Sequence, residues 1–359
     1  MKIVSCESKK KKVLVIQSVI PHYRVPIFNE LAKSVELTVV YDKGKPPADV
    51  AFATEKIEVI RVKHVPKIHK KNVLWMARKY DVVIAMLDNS YLTTRLLARC
   101  RGKTKFILWG IGVSASYSVR YDSLPQYVSI YKKMIHNADA ALFYSQYPVS
   151  KYESLGEKRE KLFVANNTVR VLAIEEKRRE HILFVGSLYK AKKIFELLTC
   201  YKKAKDMCPD VPDLVIIGDG DEAGAVRSWV KENGLDAKIT LTGAIYDEKI
   251  LSEYFSRAII CISPDQAGLT VLQSFGYGVP FATHKDAFTG GERLNITSGE
   301  NGVLLESFEE MTTLICDCAR EIDHFVEMGN NAKRFYDNNR TVQHMVSGFL
   351  DAIAFVTKE

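Results

Sequence analysis

An alternation of short apolar segments with helical patterns runs through this sequence twice and limits what the chain can fold into. The apolar segments are rich in Val, Ile and Leu and are of strand length, which favours buried strands. Apolar residues at helical spacing fill several gaps between them, as in Leu92–Cys100 and Tyr127–Asn137. Strands that alternate with helices are typical of a doubly wound parallel sheet with helices on both faces. We therefore expect an α/β fold.

The strand candidates fall into two series separated by a charged break. The first series is Lys12–Ile16, Leu37–Tyr41, Ile57–Val62, Val82–Met86, Phe106–Trp109 and Ala140–Tyr144, and the second is Ile182–Val185, Leu214–Ile217, Ile239–Leu241, Ile259–Ile262 and Phe281–Thr283. Residues 172–180 are rich in charge and lack apolar periodicity, which predicts a linker. We expect two Rossmann-like domains, 1–171 and 181–340, that face each other across a cleft, and a C-terminal helix at 341–359 that packs back on the first domain.

Composition excludes several classes of protein. The longest apolar runs, such as Ala258–Ile262, are far shorter than the ~20 residues of a membrane span. The apolar run that follows the basic residues Lys9–Lys12 is only Val13–Ile16 and lacks a small-residue cleavage site, so we expect no secretion signal. The seven cysteines contain no CxxC pair, which favours reduced thiols over a disulfide framework or a zinc site. We expect a cytoplasmic protein.

The net charge of +8 is unevenly distributed. Up to Val171 there are 30 Lys and Arg against 14 Asp and Glu, and after it 21 against 29. A basic half can attract an anionic membrane, a nucleic acid or an anionic small molecule, or it can be an ordinary solvated surface. Two stretches that mix aromatic and basic residues, Ile68–Tyr80 and Tyr127–His136, favour a peripheral contact with anionic lipid at the inner face of a membrane. We expect no nucleic-acid partner.

The most informative segment is Ile262–Pro280, in which a buried strand leads through an acidic, Gly-containing loop into an apolar helix. Helix N-termini carry unpaired N–H groups and partial positive charge, so the amides of Gly268–Thr270 could hold a diphosphate. Gln273 lies about one turn further along and could face the same ligand. Asp265 could accept hydrogen bonds from a sugar or stabilise positive charge at its anomeric carbon. The alternative is an ordinary loop in which Asp265 caps the helix.

This segment resembles the retaining GT-B glycosyltransferase family of bacterial polysaccharide mannosyl-, glucosyl- and galactosyltransferases. The family signature has two Glu residues with seven residues between them, and Asp265 and Gln273 stand at those positions here. The family's other signature residues are matched at Gly268, Leu269, Leu272, Gly278 and Pro280. In the family the first acid contacts the donor sugar and the second contacts the ribose. The resemblance implies a GT-B fold and transfer of a hexose-type sugar from a nucleotide diphosphate sugar.

A second segment, His181–Lys193, resembles the family's strand and loop whose Arg and Lys bind the donor diphosphate. Lys192 falls on that Lys, whereas Ser187 replaces the Arg and Lys193 replaces a Gly. A lysine over the phosphates neutralises the departing diphosphate, which is the role of a metal in other transferases. The resemblance therefore implies Asp265 and Lys192 as catalytic residues, a UDP- or GDP-sugar as donor, and no cofactor or metal.

Two shorter segments complete the expected donor site. Leu214–Glu222 and Leu241–Gly243 resemble the family's glycine-rich turn and the loop that receives the base, although a plain turn is the alternative for the first of them. The expected donor-binding residues are Gly186, Ser187, Lys192, Gly218, Gly220, Gly243, Gly268, Leu269, Thr270 and Gln273.

The first half is less informative. Gln17–Pro26 follows the first strand and should line the cleft, where the family's first domain meets the acceptor. His22 and Arg24 could bind an anionic acceptor, such as a lipid diphosphate or an acidic sugar, and Asp88 is a third acceptor-side candidate. A loop with a solvent-facing Arg is the alternative. The expected acceptor is a glycan or a lipid-linked sugar in surface polysaccharide synthesis.

Two other functions are compatible with the sequence. The replaced acids and the missing Arg suggest a catalytically weak subunit that binds nucleotide sugars for a partner. The stretch Gly110–Ala115 has the G-x-G-x-x-A form of a dinucleotide fingerprint, which suggests an oxidoreductase. Polar residues rather than an apolar helix follow this stretch, and it lies late in its series, so we disfavour that function.

Overall fold

The computed structural model describes residues 9–63, 65–116, 119–175 and 177–358. Over these residues the chain forms two compact units. Unit 1 consists of the described parts of Met1–Val113, Leu124–Asn167 and Val342–Glu359, and unit 2 consists of those of Ser114–Ser123 and Thr168–Thr341.

Unit 1 is built on a parallel sheet whose central strands are almost entirely buried. Its strands are β1 (Lys12–Ile16), β2 (Glu36–Tyr41), β3 (Ala53–Lys56), β4 (Val59–Ile60), β5 (Ile68–His69), β6 (Val82–Met86), β7 (Lys105–Gly110), β8 (Ala140–Phe143) and β9 (Leu162–Val164). Its first helices are α1 (Val25–Ala32), α2 (Val73–Ala77), α3 (Leu92–Cys100), α4 (Gln126–Asn137) and α5 (Gln146–Ser154). Within the described residues the main sheet has the order β3-β2-β1-β6-β7-β8-β9 and is parallel throughout.

The strand expected at Ile57–Val62 is not formed as such. The sheet strand β3 comes earlier, and the expected range contains only the short strand β4, which pairs with β5 in an antiparallel ladder. Of the six residues in the expected strand, Ile57 alone is buried. The segment therefore has no apolar face to place against a sheet, although its β-branched residues favour a strand by composition.

Unit 2 contains a second parallel sheet. Its strands are β10 (His181–Val185), β11 (Asp213–Ile217), β12 (Ile239–Gly243), β13 (Ala258–Ile262), β14 (Gln266–Ala267), β15 (Phe281–His284), β16 (Phe288–Thr289) and β17 (Gly302–Leu305), and its helices are α6 (Ile194–Met207), α7 (Ala223–Glu232), α8 (Glu248–Arg257), α9 (Thr270–Gly276), α10 (Glu309–Arg320) and α11 (Ile322–Asn339). In the described chain its main sheet has the order β12-β11-β10-β13-β15-β17, again parallel. The expected α/β architecture with two doubly wound sheets is confirmed.

The last helix, α12 (Val342–Thr357), belongs to unit 1. It packs on α1 and on the strands β6 to β9. Phe349 contacts the Trp109 ring edge to face with 4.9 Å between the centroids, and a Cβ added at Gly348 would lie 2.2 Å from the Val164 carbonyl oxygen. The glycine thus lets the helix approach the strand closely. No helix in the described parts of the chain is long and apolar enough to cross a membrane.

Candidate functional site

Neighbouring strands of unit 2 bring several of the sequence-predicted residues to one edge of the sheet. Gly186 follows β10, Gly218 follows β11 and Gly243 ends β12. The fourth strand, β13, leads into the loop of Asp265. Because these strands are parallel neighbours, their carboxyl ends meet at the same edge, where α/β sheets bind ligands.

Two of the glycines are required by the packing of the backbone. A Cβ added at Gly218 would lie 1.9 Å from the carbonyl oxygen of Gly186, and one at Gly220 would lie 2.4 Å from that of Leu188. Neither position has room for a side chain, whatever ligand binds nearby. Backbone packing alone explains why these residues are glycines. Their contact with a donor therefore stays a prediction.

Lys192 is the buried cation of this edge. It ends the 3-10 turn Lys190–Lys192 that follows β10, and it is 8% exposed. Its Nζ lies 3.0 Å from the position that a Cβ at Gly186 would take, and no ion pair is found for it within the described residues. Burial lowers the pKa of Lys192 to about 8, because desolvation disfavours the charged form. An anion beside Gly186 would stabilise the charge of Lys192. Ser187, the next residue after Gly186, is exposed.

Asp265 is buried in the loop after β13 and forms an ion pair with Lys193. The carboxylate residue is 2% exposed, and its Oδ2 lies 3.1 Å from the Nζ of Lys193. The loop is held by Ser263 Oγ, which donates to the Gln266 carbonyl at 2.8 Å. Helix α9 has no side-chain cap, so the alternative in which Asp265 caps that helix is not what the structure has.

Helix α9 begins at Thr270 with free space in front of it. The N–H groups of Val271 and Gln273 donate to the carbonyls of Gly268 and Leu269. In the part of the chain that the structure describes, the N–H groups of Leu269 and Thr270 have no acceptor. A Cβ at Gly268 would meet nothing within 4 Å. These amides are therefore open to a ligand, and the partly exposed Gln273 lies on the first turn beside them.

Unit 1 has a cavity of about 220 Å³ at the carboxyl ends of β1 and β6. Arg24 and Asp88, two of the three acceptor-side candidates, line it together with Gln17 and three tyrosines. The third candidate, His22, is exposed and does not line this cavity. The structure thus brings two of the three candidates together and shows that Arg24 is buried, not solvent-facing.

Sequence reasoning missed the buried carboxylate of Glu292. Its Oε2 accepts hydrogen bonds from the Gly290 N–H at 2.9 Å and from Thr289 Oγ1 at 3.3 Å. The preceding strand, β16, pairs with β14 beside Asp265, whose carbonyl accepts from the N–H of Phe288 at 2.9 Å. The signal that could have found it is the Gly-Gly pair directly before an acid, which is typical of a turn that packs closely.

The edge of unit 2 combines a buried cation, a buried carboxylate and open helix amides. Cations and amides bind phosphate oxygens, and a carboxylate accepts hydrogen bonds from hydroxyl groups. Within the described residues, no group of three or more His, Cys, Asp or Glu is placed to hold a metal ion. The arrangement suits a ligand that carries both phosphates and hydroxyls.

Residues 168–342 match the family model described as glycosyl transferases group 1. No curated protein matches the chain by sequence.

Solved structures match almost the whole chain. A glycosyltransferase from Rickettsia africae ESF-5 has a TM-score of 0.71 at 14% identity, with 98% of this chain and 100% of that chain covered. HepE from Anabaena, in complex with UDP, has a TM-score of 0.70 at 14% identity, with 96% and 99% covered. The pneumococcal O-GlcNAc transferase GtfA, in complex with UDP and GlcNAc, has a TM-score of 0.70 at 11% identity, with 98% and 100% covered. The chain has the GT-B fold, as the sequence resemblance implied.

Proposed function

We propose that this chain is a glycosyltransferase that moves a hexose-type sugar from a nucleotide diphosphate sugar to a glycan or lipid-linked acceptor, with retention of the anomeric configuration. The match of residues 168–342 to group 1 glycosyl transferases supports the class of reaction. The GT-B fold supports it independently, since the structural match extends over 96% of the chain. The proposed context is the synthesis of a surface polysaccharide.

The observation that carries the proposal is the burial of Lys192 without a carboxylate partner among the residues that the structure describes. A buried charge is costly unless it is paired, and burial here lowers the pKa of Lys192 to about 8. A diphosphate bound beside Gly186 would supply the missing negative charge. In the proposed reaction Lys192 neutralises the charge that develops on the departing diphosphate, so that we expect no metal requirement.

Asp265 is the proposed contact for the donor sugar. Its loop follows β13, which is the neighbour in the sheet of β10, the strand that leads into the turn of Lys192. The carboxylate can accept hydrogen bonds from sugar hydroxyls and stabilise positive charge at the anomeric carbon. Gln273, on the first turn of α9, is the proposed contact for the ribose, to which its amide can both donate and accept.

UDP is the proposed nucleotide of the donor, ahead of GDP. HepE has been crystallised with UDP-glucose and GtfA with UDP and GlcNAc. The loop at Gly243, which ends β12, is the proposed site for the base. Its φ of +76° and the open space around it favour a glycine whose backbone approaches a ligand.

A donor screen tests the proposal. Nucleotide release would be followed from UDP-glucose, UDP-galactose, UDP-GlcNAc and GDP-mannose, and we expect turnover with one of the UDP-sugars. Lys192→Ala should lower this turnover by roughly 10²–10³-fold, the usual effect of removing one transition-state charge contact. The matched control is Lys190→Ala, because Lys190 is an exposed lysine of the same 3-10 turn.

The same screen, combined with titrations of UDP and GDP, separates the second candidate, a catalytically weak subunit that binds nucleotide sugars for a partner. The replacements at Asp265, Gln273 and Ser187 favour this candidate. Binding of UDP in the absence of turnover with any donor would support it. If neither UDP nor GDP binds, both candidates are wrong.

We also propose that unit 1 makes a peripheral contact with anionic lipid through a basic groove. The groove lies at the amino ends of β1 and β7, and its basic residues are Lys11, Arg78, Lys79, Lys103, Lys105 and Lys358. Trp75, 58% exposed, stands next to Lys79, whose Nζ lies 4.0 Å from the ring centroid. Basic residues beside an exposed Trp suit the interface of an anionic bilayer.

Vesicle flotation tests this contact. We expect the protein to float with vesicles that contain phosphatidylglycerol and not with neutral ones. Lys103→Glu with Lys105→Glu should abolish flotation, whereas Lys202→Glu with Lys203→Glu, which reverses two exposed charges of unit 2, should not. Absence of flotation at low salt would rule the contact out.

A further inference from the structure

The cavity of unit 1 contains a buried guanidinium with unusual surroundings. Arg24 is 4% exposed. Its Cζ lies 5.0 Å from the ring centroids of both Trp109 and Tyr144 and 5.1 Å from that of Tyr23. One of its N–H groups approaches Met345 Sδ at 3.3 Å. The rings and the sulfur stabilise the cation partly, but they provide no oxygen acceptor.

The buried carboxylate of Asp42, whose partners Ser18 and Tyr91 line this cavity, is committed to other groups. Asp42 accepts hydrogen bonds from Tyr91 and from Ser18, and it pairs with Arg61 at 3.4 Å. Among the described residues no ion pair joins Arg24 to any acid. A guanidinium has five N–H donors, and the described residues give that of Arg24 neither a counter-charge nor an oxygen acceptor.

Gln17 provides a second and independent observation. It is 8% exposed, it lines the same cavity as Arg24, and its Nε2 has no hydrogen-bond partner among the described residues. A buried donor without an acceptor destabilises the folded chain, because it has lost its hydrogen bonds to water. One ligand group with several oxygens could accept hydrogen bonds from both the Gln17 amide and the Arg24 guanidinium, since the two line the same cavity.

The rest of the cavity indicates what carries those oxygens. Asp88 lines it and accepts from the Ser90 N–H at 2.8 Å through one oxygen, Oδ1. Its other oxygen can accept from a ligand hydroxyl. Tyr23, Tyr91 and Tyr144 contribute ring surface to the wall, against which the C–H face of a sugar can pack. The volume of about 220 Å³ is below the ~300–1,000 Å³ of pockets for drug-sized ligands, so one sugar ring is the matching size.

We infer that this cavity binds an oxyanion, a carboxylate or a phosphate, carried on one sugar ring of the acceptor. The oxyanion contacts Arg24 and Gln17, and a hydroxyl of the same ring donates to Asp88. The inference rests on the proposed function in one respect, namely that the bound sugar is the acceptor. The binding itself requires only the residues of unit 1.

The test measures binding of three probes, glucuronic acid, glucose 6-phosphate and glucose, to the full chain without donor. We expect at least one acid to bind at least ~10-fold more tightly than glucose, as a charge-assisted contact predicts. A preference for glucuronic acid identifies a carboxylate ligand, and a preference for glucose 6-phosphate identifies a phosphate ligand. If neither acid binds better than glucose, the inference is wrong.

Variants connect the binding to the named residues. Arg24→Met should remove the preference for the acid, and Gln17→Leu should weaken binding of the acid severalfold. Because Gln17→Leu removes a buried unpaired donor, it should fold even if Arg24→Met does not. The control is Arg99→Met, at an exposed arginine outside this cavity. If both cavity variants fold and bind the acid as the wild type does, the inference is overturned.

Measurements of UDP binding and donor turnover on the same samples keep the two proposals apart. If the donor turns over but neither acid binds, only the acceptor inference fails. If an acid binds through Arg24 but no nucleotide binds, the proposed function fails and the cavity remains an oxyanion site.

Discussion

Lys193 and Asp265 form an ion pair, with 3.1 Å between Nζ and Oδ2, at two positions where the resembled family has a Gly and a Glu. Lys193 has a left-handed backbone, with φ of 51° and ψ of 44°, which explains why a glycine suits the position. The lysine here carries backbone strain and at the same time provides a counter-charge for a carboxylate that is almost fully buried. The two departures from the family are thus physically connected.

Substitutions at Lys193 separate the backbone effect from the ion pair. Lys193→Gly and Lys193→Ala both remove the pair, but only the alanine keeps a Cβ in the left-handed region. We expect the glycine variant to be more stable than the alanine variant by about 1–2 kcal/mol, measured as the free energy of unfolding in urea. At Lys190, whose φ is not positive, the order should reverse, since glycine costs about 0.5–1 kcal/mol relative to alanine in a helical turn. The same order at both positions would contradict the assignment of strain.

The pKa of Lys192 predicts a pH dependence of stability. Burial lowers this pKa from its ordinary value of 10.5 to about 8, so between these two values the unfolded chain binds more protons at this site than the folded chain. The free energy of unfolding should therefore rise as the pH increases from about 8 to 10.5, by at most about 3 kcal/mol from this group. Below pH 8 the difference in free energy of unfolding between the wild type and a variant that lacks Lys192 should not change with pH.

Comparison with Lys192→Met isolates that contribution, because methionine does not titrate. We expect the stability of the wild type relative to this variant to increase over the same pH window in urea unfolding experiments. Lys190→Met, at an exposed lysine, serves as the control and should run parallel to the wild type. Parallel curves for Lys192→Met and wild type would show that Lys192 is not desolvated in the folded chain.

The sequence predicted those features that depend on local pattern. The stretches Ile182–Val185 of β10 and Ala258–Ile262 of β13 are apolar throughout and almost entirely buried, so composition and length alone indicate these strands. The short strand β17, of only four residues, and the helix α10 were not predicted. The described residues of 114–123 belong to unit 2. There Arg120 lies over the Phe288 ring at 4.9 Å, and no local pattern indicates so distant a contact.

In the candidate sites, too, local patterns predicted some features, whereas contacts between distant segments were not predicted. The loop after β13 was predicted to lead into a helix with open amides, because strand, glycine and apolar helix follow one another directly in the chain. The pairing of Lys193 with Asp265 was not predicted, and neither was the burial of Arg24 among aromatic rings. Those relationships join elements far apart in the sequence, and they depend on the order of strands in the sheet.

A cationic Lys192 beside the diphosphate makes a divalent ion unnecessary in the proposed reaction. We expect nucleotide release from the accepted donor to continue at an unchanged rate in excess EDTA. Magnesium or manganese added afterwards should not increase the rate. A loss of activity in EDTA that either ion restores would show that a metal, not Lys192, neutralises the leaving group.

Substitution by alanine should affect stability differently at two glycines of this edge of unit 2, because Gly218 has no room for a side chain whereas Gly268 faces open space. At Gly218 an added Cβ would lie 1.9 Å from the Gly186 carbonyl oxygen, so the ends of β10 and β11 would have to move apart. We therefore expect Gly218→Ala to lower the free energy of unfolding by about 3 kcal/mol or more. At Gly268 a Cβ meets nothing within 4 Å and φ is not positive, so Gly268→Ala should leave stability unchanged or raise it by about 0.4–1 kcal/mol. Its added methyl group lies where the diphosphate is proposed to approach the amides of Leu269 and Thr270, so the affinity for UDP should fall at least ~10-fold. Urea unfolding and UDP titration of both variants check the prediction, and unchanged UDP affinity in Gly268→Ala would move the diphosphate away from the start of α9.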